Sequence, residues 1–91
     1  MRIEIKKFGD ILTSHPAGRD AFLVASAYIF PDCTNENIIL DFAGVEVLSP
    51  SWGDEFITKV VEKFGDKVSF ENTENPSVKA TLDILHKRPT A

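Results

Sequence analysis

The sequence predicts an α/β domain: a small sheet of about four strands, mixed or largely parallel, packed with three helices. Three observations lead there. Short apolar runs suited to strands alternate with longer stretches of helical periodicity, in the order β-α-β-α-β-α. Ile38, Ile39, Leu40 and Phe42 form an apolar run interrupted only by Asp41, the pattern of a strand covered on both faces. Each helical stretch also opens on a capping side chain and a proline, at Ser14-His15-Pro16, Ser49-Pro50 and Asn75-Pro76. Strands alternating with helices imply parallel pairing and right-handed crossovers.

From the N-terminus, residues 2–8 alternate, with Ile3 and Ile5 on one face and Arg2, Glu4 and Lys6 on the other. That predicts a half-buried strand near a sheet edge. Gly9-Asp10 is a turn signal, and Ile11-Leu12 returns to the core as a short extended piece. In the first helix Ser14 or His15 is the cap. Ala17, Ala21, Val24, Ala25 and Tyr28 follow helical spacing, and Phe22, Ile29 and Phe30 broaden the stripe. Its alanines permit close approach to a sheet or another helix. Its polar residues are few, so much of its circumference is expected to be buried, part of it against a second subunit. Pro31 ends it, and residues 32–37 read as a polar loop.

After the central strand Gly44 breaks the pattern, and Val45, Val47 and Leu48 give a second short apolar passage. Two registers compete for the start of the next helix. Ser49 caps with Pro50 in the first turn, or Ser51 caps with Asp54 reaching back as a capping box. Trp52, Phe56, Val60 and Phe64 then form an apolar stripe, widened by Ile57 and Val61. Asp54, Glu55, Thr58, Lys59, Glu62 and Lys63 take the opposite side, with Glu55 and Lys59 as a favourable i,i+4 pair. Gly65 stops the helix. Residues 67–71 alternate again, with Val68 and Phe70 inward, and residues 72–75 are a polar loop. Val78, Leu82 and Leu85 are the apolar face of a last helix, with Thr81 and Ile84 beside it. His86, Lys87 and Arg88 complement its dipole, and Pro89 stops it. The tetrapeptide KFGD recurs at 7–10 and 63–66, both at element ends, and reads as turn chemistry rather than duplication.

Residues 1–91 make one small domain, 43% apolar and 26% charged, which is not a disordered composition. A net charge of −4 argues against non-specific nucleic-acid binding, which needs a basic surface. No apolar run approaches the roughly 20 residues of a membrane span, and the start lacks the layout of a secretion signal. The single cysteine, Cys33, makes no internal disulfide and no cysteine metal cluster. It reads as a loop or helix-end thiol, and a cytoplasmic location is expected.

Few residues carry chemistry. Asp41, Asp54 and Glu55 lie near a strand end and a helix start, where ligands of α/β sheets gather, and carboxylates there suit a divalent cation. The plainer reading is that Asp41 satisfies backbone groups of the following loop while Asp54 and Glu55 complement the helix dipole. His15 and His86 are the only histidines, and neither belongs to a nucleophile motif. No glycine loop cradles phosphate. Trp52 lies on the apolar stripe and reads as a core anchor. Ser51 sits at the positive end of a helix, where a phosphate would add about −1.5 to −2 charges. The helix end favours that charge and Asp54 and Glu55 oppose it. The alternative is a capping serine that is never modified.

The stretch LDFAGVEVLSPSWGDEF followed by an amphipathic helix resembles the STAS fold of sulphate transporters and anti-sigma factor antagonists. It is closer to a small bacterial STAS-like family of unknown function whose centre reads like DFxGVxxhxxSFADEh. Asp41, Phe42, Gly44, Val45, Ser51, Asp54 and Glu55 match, while Trp52 stands for its Phe, Gly53 for its Ala and Phe56 for its Leu. Ser14, His15 and Gly18 partly match a pattern that opens the family's first helix. The resemblance implies a binding module rather than an enzyme. Antagonist STAS domains bind a serine kinase that is also an anti-sigma factor, and phosphorylation of a motif serine breaks the complex. That acceptor falls on Ser51. Ser49 replaces the acidic residue ahead of it, and Trp52 the glycine after it. The chain is also shorter than a full STAS domain, which implies one strand fewer in the sheet.

The leading reading is therefore a non-catalytic protein-interaction module with no cofactor. Its contact surface is built from Asp41, Gly44, Ser49, Ser51, Trp52, Asp54 and Glu55, and its partner is a regulatory serine kinase or ATPase. A second reading is a small-ligand or divalent-metal domain using Asp41, Asp54 and Glu55. A third is a structural homodimer built through the alanine-rich first helix or an exposed edge strand.

Overall fold

Two parallel sheets organise the chain in a computed structural model that describes residues 1–30 and 36–87. β1 (Arg2–Glu4), β3 (Ile38–Asp41) and β5 (Val68–Glu71) form one sheet in the order β1-β3-β5, and β2 (Ile11–Leu12) pairs with β4 (Val47–Leu48) in a second. Every one of these pairings is parallel, as their alternation with α1 (His15–Tyr28), α2 (Pro50–Phe64) and α3 (Pro76–Lys87) requires. The predicted α/β class holds, with five short strands in two sheets where one sheet of about four was expected.

Register fixes the faces of the three-stranded sheet. Ile3 lies beside Leu40 and Phe70, and Ile38 beside Val68, on the side that carries the core. Arg2, Glu4, Asp41, Ser69 and Glu71 share the other side with Ile39. That side is polar and largely open to solvent, with Asp41 buried and Ile39 half-buried. The expectation of a strand covered on both faces is thus corrected. The Ile38–Phe42 run has one core face, and Arg2 and Asn72 cover Asp41 on the other.

α2 is flanked by α1 and α3. Its predicted stripe is seated as expected at Trp52, Phe56, Ile57 and Val60, with Phe64 half-buried, whereas Val61 is exposed. The Glu55–Lys59 pair forms at 3.0 Å, and Gly65 ends the helix with a positive φ of 59°. The seam between α1 and α2 rests on Gly18, where a Cβ would come within 2.6 Å of the Trp52 carbonyl oxygen. α3 closes on α2 through Thr81 and Leu85, which lie against Gly53, and the Thr81 hydroxyl donates to Leu48 O at 2.6 Å.

Three further expectations change. Residues 2–8 are not one strand: β1 stops at Glu4, opposite the last residue of β3, and Ile5–Phe8 forms a 3₁₀ turn. That turn brings Phe8 against Trp52 and Phe56, at ring separations of 6.3 and 5.2 Å. Phe70 is partly exposed because it borders an opening between α2, α3 and β5. In α1 the buried residues are Gly18, Ala21 and Ala25, whereas Val24 and Tyr28 of the predicted stripe face solvent. Small side chains are selected there because the neighbouring helix approaches closely. The predicted stop at Pro31, the thiol of Cys33, most of the 32–37 loop, Arg88 and Pro89 lie outside the described residues. No helix among the described residues is long and apolar enough to cross a membrane.

Candidate functional site

The β2–β4 ladder sets the candidate surface. Asp10 O accepts the N–H groups of Glu46 and Val47 at 2.8 and 3.0 Å, and Leu12 O accepts that of Ser49 at 2.9 Å. The register pairs Ile11 with Val47 and Leu12 with Leu48. Successive side chains of a strand point to opposite sides. Leu12 and Leu48 enter the core at 2% exposure, and Ile11 and Val47 stand side by side outside it at 61% and 39%. Asp10 and Glu46, both exposed, precede these two residues in the chain.

The three helices begin around this ladder. Ser14 Oγ accepts the Ala17 N–H at 3.2 Å. Ser49 Oγ accepts the Trp52 N–H at 3.4 Å and donates to Thr13 O at 2.8 Å, which fastens the start of α2 to the segment that leads into α1. The competition between registers is settled for Ser49, with Pro50 at the first helical position. Ser51 is therefore the second helical residue, half-buried, and its hydroxyl is not the cap. On the other side Asn75 caps α3 by accepting the N–H groups of Ser77 and Val78 at 2.8 and 3.3 Å, and its amide donates to Val45 O and Glu46 O. Asn75 and Ser77 thereby brace the 45–48 segment from behind. Sequence reading marked Asn75 only as a cap.

The predicted site residues separate into two regions. Ser49, Ser51, Asp54 and Glu55 lie together on the first turn and a half of α2. Glu55 accepts from Lys59, which holds its carboxyl below the usual range, and lies 3.5 Å from His15 Nδ1 across the α1–α2 seam. Gly44, in the loop after β3, has a φ of +83°, which favours glycine. Trp52 is 1% exposed and stacks on Phe56 at 4.9 Å, so its ring belongs to the core and not to an accessible contact surface. Asp41 is on the polar side of the sheet. Its Oδ1 accepts from Asn72 at 2.7 Å and Ala43 N at 2.9 Å, and its Oδ2 accepts from Arg2 at 2.9 Å. These bonds, that of Asn72 foremost, hold its carboxyl below the ordinary value. Arg2 also donates to Glu71 at 2.6 Å, and with Asp41 that contact raises its own pKa. One side chain from each strand of the sheet meets in this polar cluster.

The placement does not gather the carboxylates of the cation reading into one cluster among the described residues. Asp41 spends its oxygens on the loop and on Arg2, and no group of three or more His, Cys, Asp or Glu among the described residues is placed to hold a metal ion. A cavity of about 180 Å³ does open between α2, α3 and β5, lined by Ile57, Thr58, Val61, Glu62, Phe70, Leu82, Leu85 and His86. None of the sequence-predicted site residues lines it.

Residues 29–78 match the model of a family described as the STAS-like domain of unknown function (DUF4325). The chain belongs to this family. No curated protein and no solved structure matches it. In this STAS-like domain the matched segment runs from just past α1, through β3, β4, α2 and β5, into the first turn of α3. It contains every predicted site residue from Asp41 to Glu55 and the bracing pair Asn75 and Ser77. Ile11, the more exposed half of the apolar pair, comes from outside it. Sequence reading placed Ile11 and Leu12 together in the core. The signal that separates them is the period of two, which sends one of any two adjacent strand residues outward.

Proposed function

We propose that this STAS-like domain is a non-catalytic, cytoplasmic protein-interaction module. Its contact surface is the outer side of the β2–β4 ladder with the start of α2. What carries the reading is the exposed, in-register pair Ile11 and Val47, held on a braced ladder immediately ahead of Ser51. A rigid apolar pair with Asp10, Glu46 and Asp54 close in the chain fits a partner that offers an apolar side chain within a basic rim. The resemblance to antagonist STAS domains supports a regulatory serine kinase or ATPase as that partner.

Ser51 is the candidate switch. Because Ser49 does the capping, a phosphate on Ser51 leaves the cap in place and changes the charge of the surface. Affinity capture from the protein's own cells tests both parts. The wild-type chain and an Ile84→Glu control on α3 should retain the same partner. An Ile11→Glu/Val47→Glu double variant should lose it, and Ser51→Asp should weaken capture where Ser51→Ala does not. Equal capture by all five chains would contradict the assigned surface.

A further inference from the structure

Of the three helices, α1 alone turns a mainly apolar side outward. α2 exposes Glu62 and Lys63 beside Val61, and α3 exposes Lys79 and Asp83 beside Ala80 and Ile84, the mixed surface of solvated helices. α1 buries Gly18, Ala21 and Ala25 and exposes Leu23, Val24, Ala27 and Tyr28, with Val24 at 49% and Tyr28 at 83%. Two charged residues, Arg19 and Asp20, interrupt this exposed face, and Asp20 is its one carboxylate.

The spacing of that carboxylate identifies what covers the face. Asp20, Val24 and Tyr28 stand at i, i+4 and i+8, a single ridge whose ends are about 12 Å apart along the helix. A two-fold axis passing beside Val24 lays this ridge antiparallel on its own copy. Val24 then meets Val24, and the Tyr28 phenol of each copy lies opposite the Asp20 carboxylate of the other. A phenolic O–H donates and a carboxylate only accepts, so both ends of the contact are satisfied by the same pair of groups. Ala27 keeps the approach close. An isologous dimer needs a patch complementary to itself, and this ridge is one. We propose that the chain forms a two-fold homodimer through α1, leaving the β2–β4 surface of each copy free.

The test is sedimentation equilibrium of the full chain over a concentration series, in a Cys33→Ser background that removes adventitious disulfides. The expected result is a reversible dimer. Val24→Lys should make it monomeric with an unchanged circular-dichroism spectrum, and Ile84→Lys should leave it dimeric. Tyr28→Phe should weaken it on the order of a hundredfold, since two charge-assisted bonds are lost at once. A second measurement does not depend on the lysine variant folding. Under mild oxidation Val24→Cys, on the axis, should cross-link to itself, and Ala17→Cys, two turns away, should not. A monomer at every concentration, a dimer that survives Val24→Lys, or cross-linking as ready at 17 as at 24 would overturn the proposal.

Discussion

A carboxylate at a strand end can await a ligand or be spent on its own fold, and Asp41 is spent. It joins β1, β3 and the turn after β5 through Arg2, Ala43 and Asn72. Asp41→Ala leaves these donors without their acceptor and should cost about 1–3 kcal/mol in denaturant unfolding. Its pKa is lower folded than unfolded, so the stabilisation is fully present above the ordinary carboxylate value. It is lost as pH falls through the lowered folded value. The stability gap between wild type and Asp41→Ala should therefore be constant near neutrality and close only in strong acid. The serines make a second comparison at this scale. Ser49→Ala removes the α2 cap and the bond to Thr13 and should cost about 0.5–2 kcal/mol. Ser51→Ala should stay within about 0.5 kcal/mol of wild type. Thermal melts of the two variants distinguish them, and the opposite order would place the cap on Ser51. The sequence alone left that choice open because both serines precede residues of the helical stripe; the Trp52 N–H donates to Ser49 Oγ, and the bond from Ser49 to Thr13, 36 residues away, holds that serine in place.

α2 was legible as an element because its two faces differ sharply in polarity, so periodicity had one solution. α1 was not. With few charges, its apolar residues fit several stripes, and the true one is chosen by size. Gly18, Ala21 and Ala25 are buried because they let α2 come close, while larger Val24 and Tyr28 stay outside. Gly18→Ala tests this seam. Alanine improves helix propensity by about 1 kcal/mol, but its Cβ would meet the backbone of Trp52, which cannot swing aside as a flexible side-chain end can. The net expectation is a loss of about 1–3 kcal/mol, read as a lower denaturation midpoint with unchanged slope. A stabilised Gly18→Ala would mean that α1 and α2 are not so closely apposed. The strands were legible in place but not in length. β1 extends only as far as β3 accompanies it, and a strand's own alternation carries no record of where its partner stops.

For the whole molecule, the order of elements was readable from the alternation along the chain, and the family from the 38–64 stretch, where strand, loop, cap and helix follow one another without a break. The candidate surface was readable only in part. Ser49, Ser51, Asp54 and Glu55 were found because they are adjacent in sequence. Ile11 was missed because it reaches the site through β-pairing across 36 positions, and Asp41 was included because a strand end resembles a site whichever way its side chain is used. Two apolar surfaces remain on opposite sides of the functional question: the Ile11–Val47 pair for a foreign partner and the α1 ridge for a second copy. The measurement that tests the account most directly is a titration of the isotopically labelled domain with the partner it captures, following backbone amide shifts. The account predicts shifts concentrated at Ile11, Glu46–Leu48 and Ser51–Asp54, with the polar side of the sheet unmoved. Shifts confined to Arg2, Asp41 and Glu71, or to the cavity between α2 and α3, would contradict it.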